Sequence, residues 1–196
     1  MFRKKTAFVI IAGLLLTVPA WAATDEYVVD NAHSTVEFTV THLVISEVSG
    51  KFNEFSGTIH FDENDITNSK FMGTIQTASI DTGNEKRDAH LRSADFFNVE
   101  KYPEIKFESN KVVREGSNYY AVGDFTMGGV TKEIRLPFEF KGKITNPYGK
   151  EVIALKAEMT VNRQDYNVSW SKSLDSGGLV VSDEVEIELN IQAAKK

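Results

Sequence analysis

From residue 34 onward the chain repeats one pattern, in which apolar and polar side chains alternate one by one. The clearest run is KEIRLPFEFKGKI, where Ile134, Leu136, Phe138 and Phe140 alternate with Glu133, Arg135, Pro137, Glu139 and Lys141. A period of two puts successive side chains on opposite faces of a strand, one dry and one wet. The last run repeats the pattern, with Val181, Val185, Ile187, Leu189 and Ile191 set against Ser182, Glu184, Glu186 and Glu188. Similar runs cover 34–43, 48–62, 69–80, 104–114, 119–127 and 152–162. Most of the connections are short, such as Arg114-Glu115-Gly116-Ser117-Asn118 and Asn146-Pro147-Tyr148-Gly149. Short connections predict antiparallel neighbours in sequence order.

Eight such strands predict an all-β fold, a soluble eight-stranded antiparallel up-and-down β-barrel, because closure removes exposed edges. Phe52 and Phe55 fall on opposite parities, which predicts a bulge between them, near Gly57. Pro137 has no N–H to give a ladder, so a bulge or a local gap in pairing is expected there. A membrane barrel turns its apolar residues outward and its polar residues to the lumen. A lumen would hardly tolerate Glu184, Glu186 and Glu188 unpaired, so the apolar set faces in. Phe38, Phe52, Phe61, Phe107, Phe138 and Met159 belong to that inward set. Eight strands enclose either a filled core or one small ligand, and the alternation is compatible with both.

The chain opens MFRKKTAFVIIAGLLLTVPAWA: three cations, an apolar run from Ala7 to Val18, Pro19, then Ala20-Trp21-Ala22. This is the layout of a secretory signal, and the run is too short for a bilayer span of about 20 residues. Cleavage is expected after Ala22, leaving residues 23–196 as a single exported domain. Of 22 cationic residues three lie in the leader, so 19 would remain against 28 acidic ones. A surface that acidic excludes nucleic acid and offers nothing to anionic lipid. There is no cysteine, hence no disulfide, no thiolate metal site and no lipid-modified cysteine. No cofactor is expected.

One connection is long: NEKRDAHLRSADFFNVEKYP, residues 84–103. Asp88 to Arg92 contain no breaker and predict a short helical segment, with Ser93 capping a second turn. Arg87, Asp88, His90 and Arg92 crowd into six residues, but neighbours in one helical turn point in different directions and make poor catalytic sets. An ion pair of Asp88 with Arg87 or Arg92 is the expected use. Arg87, Asp88, His90, Phe96 and Phe97 then form a structural clasp over one barrel end, and no catalytic residue is assigned. The four histidines, His33, His42, His60 and His90, lack ligand spacing; no metal site is expected. His42 shares the inward parity of Val36, Phe38 and Val40. Trp170 sits in the Ser/Gly-rich NVSWSKSLDSGGLV segment, the best candidate for a movable lid.

The stretches YVVDNAHSTVEFTVTHL, SIDTGNEKRDAHLRSADFFNVEKYPEIKFES, GDFTMGGVTKEIRLPFEF, VNRQDYNV and VSDEVEIEL resemble, in that order, the bacterial YceI-like family. The most specific part is T-x-x-x-x-R-D-x-H-L-x-S-x-D-F-F-x-x-x-x-Y-P-x-I-x-F, from Thr82 to Phe107, with no departure. The usual H-L-G after the first long strand reads His42-Leu43-Val44 here. The resemblance implies a lipocalin-like barrel, a periplasmic location and an interior that binds a long isoprenoid or similar amphiphile. It supports the clasp reading, since R-D-x-H-L is not known there as a catalytic centre. The expected function is therefore a non-enzymatic carrier for an isoprenoid-type or other long-chain lipid. Its apolar cavity would be lined by Val36, Phe38, Val40, His42, Phe52, Phe107, Phe138, Met159 and Trp170. Two alternatives stand: a filled-barrel, stress-related interaction module, and a lipid-modifying enzyme. Neither nucleic acid nor stable membrane insertion is expected, and a homodimer is left open.

Overall fold

The structure, a computed structural model, describes residues 24–175 and 177–196; the expected leader, 1–22, lies outside them. Among the described residues there are eleven strands and one α-helix. The strands are β1 (Asp25–Val29), β2 (Thr35–His42), β3 (Ser46–Phe52), β4 (Phe55–Phe61), β5 (Lys70–Gln76), β6 (Ile80–Asp81), β7 (Glu104–Glu115), β8 (Asn118–Met127), β9 (Val130–Thr145), β10 (Glu151–Asn162) and β11 (Val181–Lys195). The helix, α1, spans Glu85–Arg92. All pairings are antiparallel, and β1 bonds to both β4 and β11, which closes the sheet on itself.

The eleven strands act as eight staves. β1 and β2 lie end to end along β11, with Tyr27 opposite Lys195 and Val40 opposite Val185. β3 and β4 continue one another beside them, and β5 and β6 beside those. The remaining five strands follow in sequence order round to β11. The eight-stranded up-and-down barrel expected from the alternation is thus the fold.

Three details differ from the sequence reading or sharpen it. The first stave begins at Asp25, not 34, because a single 3-10 turn at Asn31–His33, capped by the Asp30 side chain, interrupts it. The irregularity between Phe52 and Phe55 falls at Asn53 and Glu54 rather than near Gly57. There the two backbone N–H groups leave the ladder to bond the Ser79 carbonyl (3.1 Å) and hydroxyl (3.0 Å). Gly57 stays in regular register opposite Gly73. A Cβ at Gly57 would lie 2.8 Å from Val29 Cγ2, so this glycine serves close packing. At Pro137 the pairing gap is real but one-sided. Tyr120 faces Pro137 across β8, whereas the β9–β10 ladder ends at Phe138 opposite Ala157.

Glu184 and Glu186 stand exposed on the outer wall while Val36, Ile59, Leu136, Leu155 and Val161 are buried inside. That polarity is the reverse of a membrane barrel's. No described helix is long and apolar enough to cross a membrane.

The two ends of the barrel are built differently. At the lower end Tyr27 (1 % exposed), Ile153 (1 %), Phe61 and Ala193 form a packed plug. Phe61 stacks on Phe140 at 4.8 Å between ring centroids. Tyr27 Oη donates to Glu151 Oε1 at 2.5 Å, and burial followed by the neighbouring carboxylate pushes the tyrosine pKa up. Glu151 is held below its usual range by that same hydrogen bond, helped by Lys195 and Lys143. The upper end gathers α1 with residues 93–103, the Gly128-Gly129 turn, the segments 163–175 and 177–180 and the β2–β3 hairpin.

Candidate functional site: an apolar cavity with a polar, aromatic roof

Above the plug the barrel encloses a cavity of about 420 Å³. Ile59, Phe71, Phe138 and Leu155 form its floor, and inward residues of every stave continue upward. All nine residues expected to line it do so: Val36, Phe38, Val40, His42, Phe52, Phe107, Phe138, Met159 and Trp170. Parity explains the eight that lie on strands, since period-two positions on one face share one side of the sheet; Trp170 lies outside the strands. Phe38, Val40, Phe107 and Met159 point inward yet are only half-buried, because they border the cavity instead of a neighbour. Phe61, read as inward, lies below the floor in the plug.

The roof starts at α1. Asn84 Oδ1 caps it by accepting the Arg87 N–H at 3.1 Å. Asp88, 6 % exposed, turns back to the end of β6 and accepts both the backbone N–H of Thr82 (3.0 Å) and its hydroxyl. Arg87 grips the same residue, with Nε on Thr82 Oγ1 at 2.7 Å and Nη2 on the Thr82 carbonyl at 2.8 Å. Arg92 Nη1 donates to the Ile80 carbonyl at 3.2 Å. The clasp is therefore real, but the expected ion pair is not how it works. Thr82, outside the helix, stands between the acid and the cation and satisfies both. Ser93 plays the capping part foreseen for it, accepting the Asp95 N–H at 3.3 Å.

His90, Phe96 and Trp170 join the two long upper connections. The Phe96 and Trp170 rings stack at 5.3 Å, and the His90 ring meets both edge-on at 5.0 and 5.6 Å. His90 Nε2 lies 2.9 Å from Asp95 Oδ2. Phe97 sets its edge against Phe52 inside the barrel. Arg87, His90, Phe96 and Phe97 border the cavity from above.

The sequence reading missed Arg163. Only 3 % exposed, it borders the cavity and donates to the carbonyls of Val168 (2.7 Å), Trp170 (2.7 Å) and Ser182 (2.8 Å) and to Asp183 Oδ1 (2.9 Å). Burial presses its pKa down, and the Asp183 charge opposes that. The signal was present: Val161 and Arg163 share the inward parity, and a buried cation must be paired. Arg163 anchors the segment carrying Trp170 to the start of β11. Among the described residues, no group of three or more His, Cys, Asp and Glu side chains is placed to hold a metal ion.

A barrel plugged at one end, apolar within and roofed by hydrogen-bonded connections at the other, is built as a container. It defines the class of barrels that enclose one hydrophobic cavity. The chain belongs to the YceI-like domain family, which matches residues 27–193. A UPF0312 protein of Vibrio campbellii is 36 % identical over 98 % of this chain and 100 % of its own length. One from Photorhabdus laumondii is 39 % identical over 84 % of this chain and 86 % of its own. Among solved structures, the Campylobacter jejuni YCEI protein that crystallizes with large solvent channels matches with a TM-score of 0.68 at 32 % identity, covering 80 % of this chain and 90 % of that one. A polyisoprenoid binding domain from Saccharophagus degradans, implicated in plant cell wall breakdown, shares the fold with a TM-score of 0.64 at 14 % identity, over 88 % of this chain and 99 % of that one.

Proposed function

We propose that this protein is an exported, periplasmic carrier that holds an isoprenoid or similar long-chain amphiphile in its barrel and performs no chemistry on it. The observation that carries the reading is the cavity of about 420 Å³, lined almost wholly by apolar side chains and plugged at one end. Its size falls within the roughly 300–1,000 Å³ of small-molecule sites. A chain of about 15–20 carbons would gain at most ~12–16 kcal/mol at ~0.8 kcal/mol per CH₂. The drug-sized ceiling of ~0.3 kcal/mol per heavy atom leaves ~5–6 kcal/mol. Those bounds bracket micromolar binding. The related polyisoprenoid binding domain points to the same ligand class. Export rests on the leader sequence.

The enzyme alternative gains no support from the charged groups at the cavity roof. Arg87 is spent on Thr82, Arg163 on four carbonyls and Asp183, and His90 on Asp95. A filled-barrel interaction module is disfavoured by the cavity. Native mass spectrometry of protein purified from its own host's periplasm tests the reading, because it gives ligand presence and mass together. An added mass that organic extraction removes and identifies as a lipid is expected. Protein found only outside the periplasm, or at its bare polypeptide mass in every preparation, would overturn it.

A further inference from the structure

The tip of the β2–β3 hairpin is the oddest backbone in the barrel. Leu43 and Val44 hold φ of +52° and +68°. The left-handed region suits glycine and is an outlier for a β-branched residue. Left-handed hairpin positions are normally Asn or Gly, and the three-residue loop between paired His42 and Ser46 places Leu-Val-Ile there. All three side chains face solvent, at 40 %, 59 % and 88 % exposed. Of the six large hydrophobic residues exposed among those described, three are consecutive here. Turn chemistry does not account for them, and Ile45 is almost wholly exposed.

The tip is also tied to the cavity roof. Leu43 N donates to the Val180 carbonyl at 2.9 Å, and Val180, Val181 and His42 border the cavity. Val44 lies on Gly178, where a Cβ would come within 2.7 Å of its Cγ2. Leu43 and Ile45 already give their N–H groups to backbone carbonyls, so these can leave water without loss.

We infer that Leu43, Val44 and Ile45 form a docking tip that dips reversibly into the acyl boundary of a lipid bilayer and holds the cavity roof against the membrane. The occupant follows from size and shape. A specific protein interface uses roughly 20–30 residues a side, and three protruding apolar side chains fall far short. A fluid apolar phase accepts three side chains without a matching surface. The acidic outer wall argues for apolar insertion as the main attraction, since anionic headgroups would repel it. The inference rests on the carrier reading for its purpose: a lipid that leaves a membrane for the barrel then never crosses water.

Flotation with phosphatidylcholine vesicles tests it, using purified protein and two paired variants. Ile45→Ser with Val44→Gly removes the two most exposed side chains of the tip and relieves the backbone at residue 44. Ile144→Ser with Tyr148→Ser removes exposed apolar residues from the opposite end, where they are 66 % and 91 % exposed. Wild type is expected to float with vesicles, the tip variant to float about tenfold less, and the far-end variant to match wild type. Thermal melts should show the tip variant folded, with an unfolding midpoint no lower than wild type. Equal flotation of wild type and tip variant overturns the inference, as does an equal loss in the far-end variant. A wild type that ignores vesicles but self-associates through the tip, losing that association in the tip variant, also overturns it. Loading all three proteins with polyprenol from detergent, then weighing them by native mass spectrometry, keeps the carrier reading separate. If none takes up lipid while only the tip variant stops floating, the carrier fails and the docking tip stands.

Discussion

The two ends of the barrel use aromatic residues for opposite purposes. At the lower end Tyr27, Phe61 and Phe140 pack ring against ring, and their one buried hydroxyl is bonded to Glu151. At the upper end Phe96, Trp170 and His90 stack on one another across two separate connections, and the polar clasp beneath them bonds backbone instead of filling volume. A packed plug resists opening, since every neighbour loses contacts at once. Stacked surface connections can part without disturbing the staves. The contrast predicts stability concentrated below and access above.

The largest effect should come from the plug. Phe61→Ala removes a ring that is 2 % exposed and should cost ~3–5 kcal/mol, read from the urea midpoint. Trp170→Ala, half-buried in the roof, should cost well under that while speeding the release of bound lipid. If the two variants unfold at the same urea concentration, the contrast between the ends is wrong.

Asp88→Ala comes next. Its buried carboxylate takes two hydrogen bonds from Thr82, and losing them should cost ~1–3 kcal/mol. His90→Ala should matter much less, because His90 and Asp95 are 44 % and 61 % exposed and such pairs contribute ~0–1 kcal/mol. Equal melting temperatures for Asp88→Ala and wild type would show that the clasp holds nothing.

Val40→Trp probes the space between the ends. It should displace lipid and leave the unfolding midpoint nearly unchanged, since the indole occupies cavity volume. A filled core would instead be overpacked, at ~1–3 kcal/mol. A destabilised variant of a protein that never yields lipid on extraction would remove the carrier reading.

The smallest effect concerns pH at the plug. Glu151 titrates below the usual carboxylate value in the fold, so its contribution is present above the unfolded pKa, near 4.5, and fades as pH falls through the lowered one. Tyr27 has the opposite sign. Its raised pKa gives a contribution that is present below pH 10 and fades above it. Glu151→Gln should flatten the acid limb of a melting-temperature profile between pH 3 and 5 (roughly one unit either side of the carboxylate range). A mutant profile parallel to wild type throughout would exclude this pair as the cause.

The staves and the cavity lining were legible because both depend on a period of two, which survives in any stretch of strand. What was hidden depended on partners far away in sequence. The Asn53–Glu54 irregularity exists because Ser79 captures both N–H groups, and nothing near residue 53 announces it. The Asp88 ion pair failed for the same reason: helical spacing names candidates within the helix, and Thr82 lies before it. Three register shifts also escaped notice, one of them in β11 between Val181 and Val185. Asn110 is unopposed between Ser109 and Lys111, and Lys141 between Phe140 and Gly142. Gly142, at φ +137°, was a readable hint, because few other residues adopt that backbone.

Closure of the ring through β1 and β11 carries a consequence for how the chain folds. Lys195 reaches Asp25 across 170 positions of sequence, and the Asp30 N–H binds the Gln192 carbonyl. No N-terminal portion of the chain can therefore complete the barrel. Until the last fifteen-residue strand emerges from the ribosome, two sheet edges stay open and the interior stays wet. Contacts this distant form slowly.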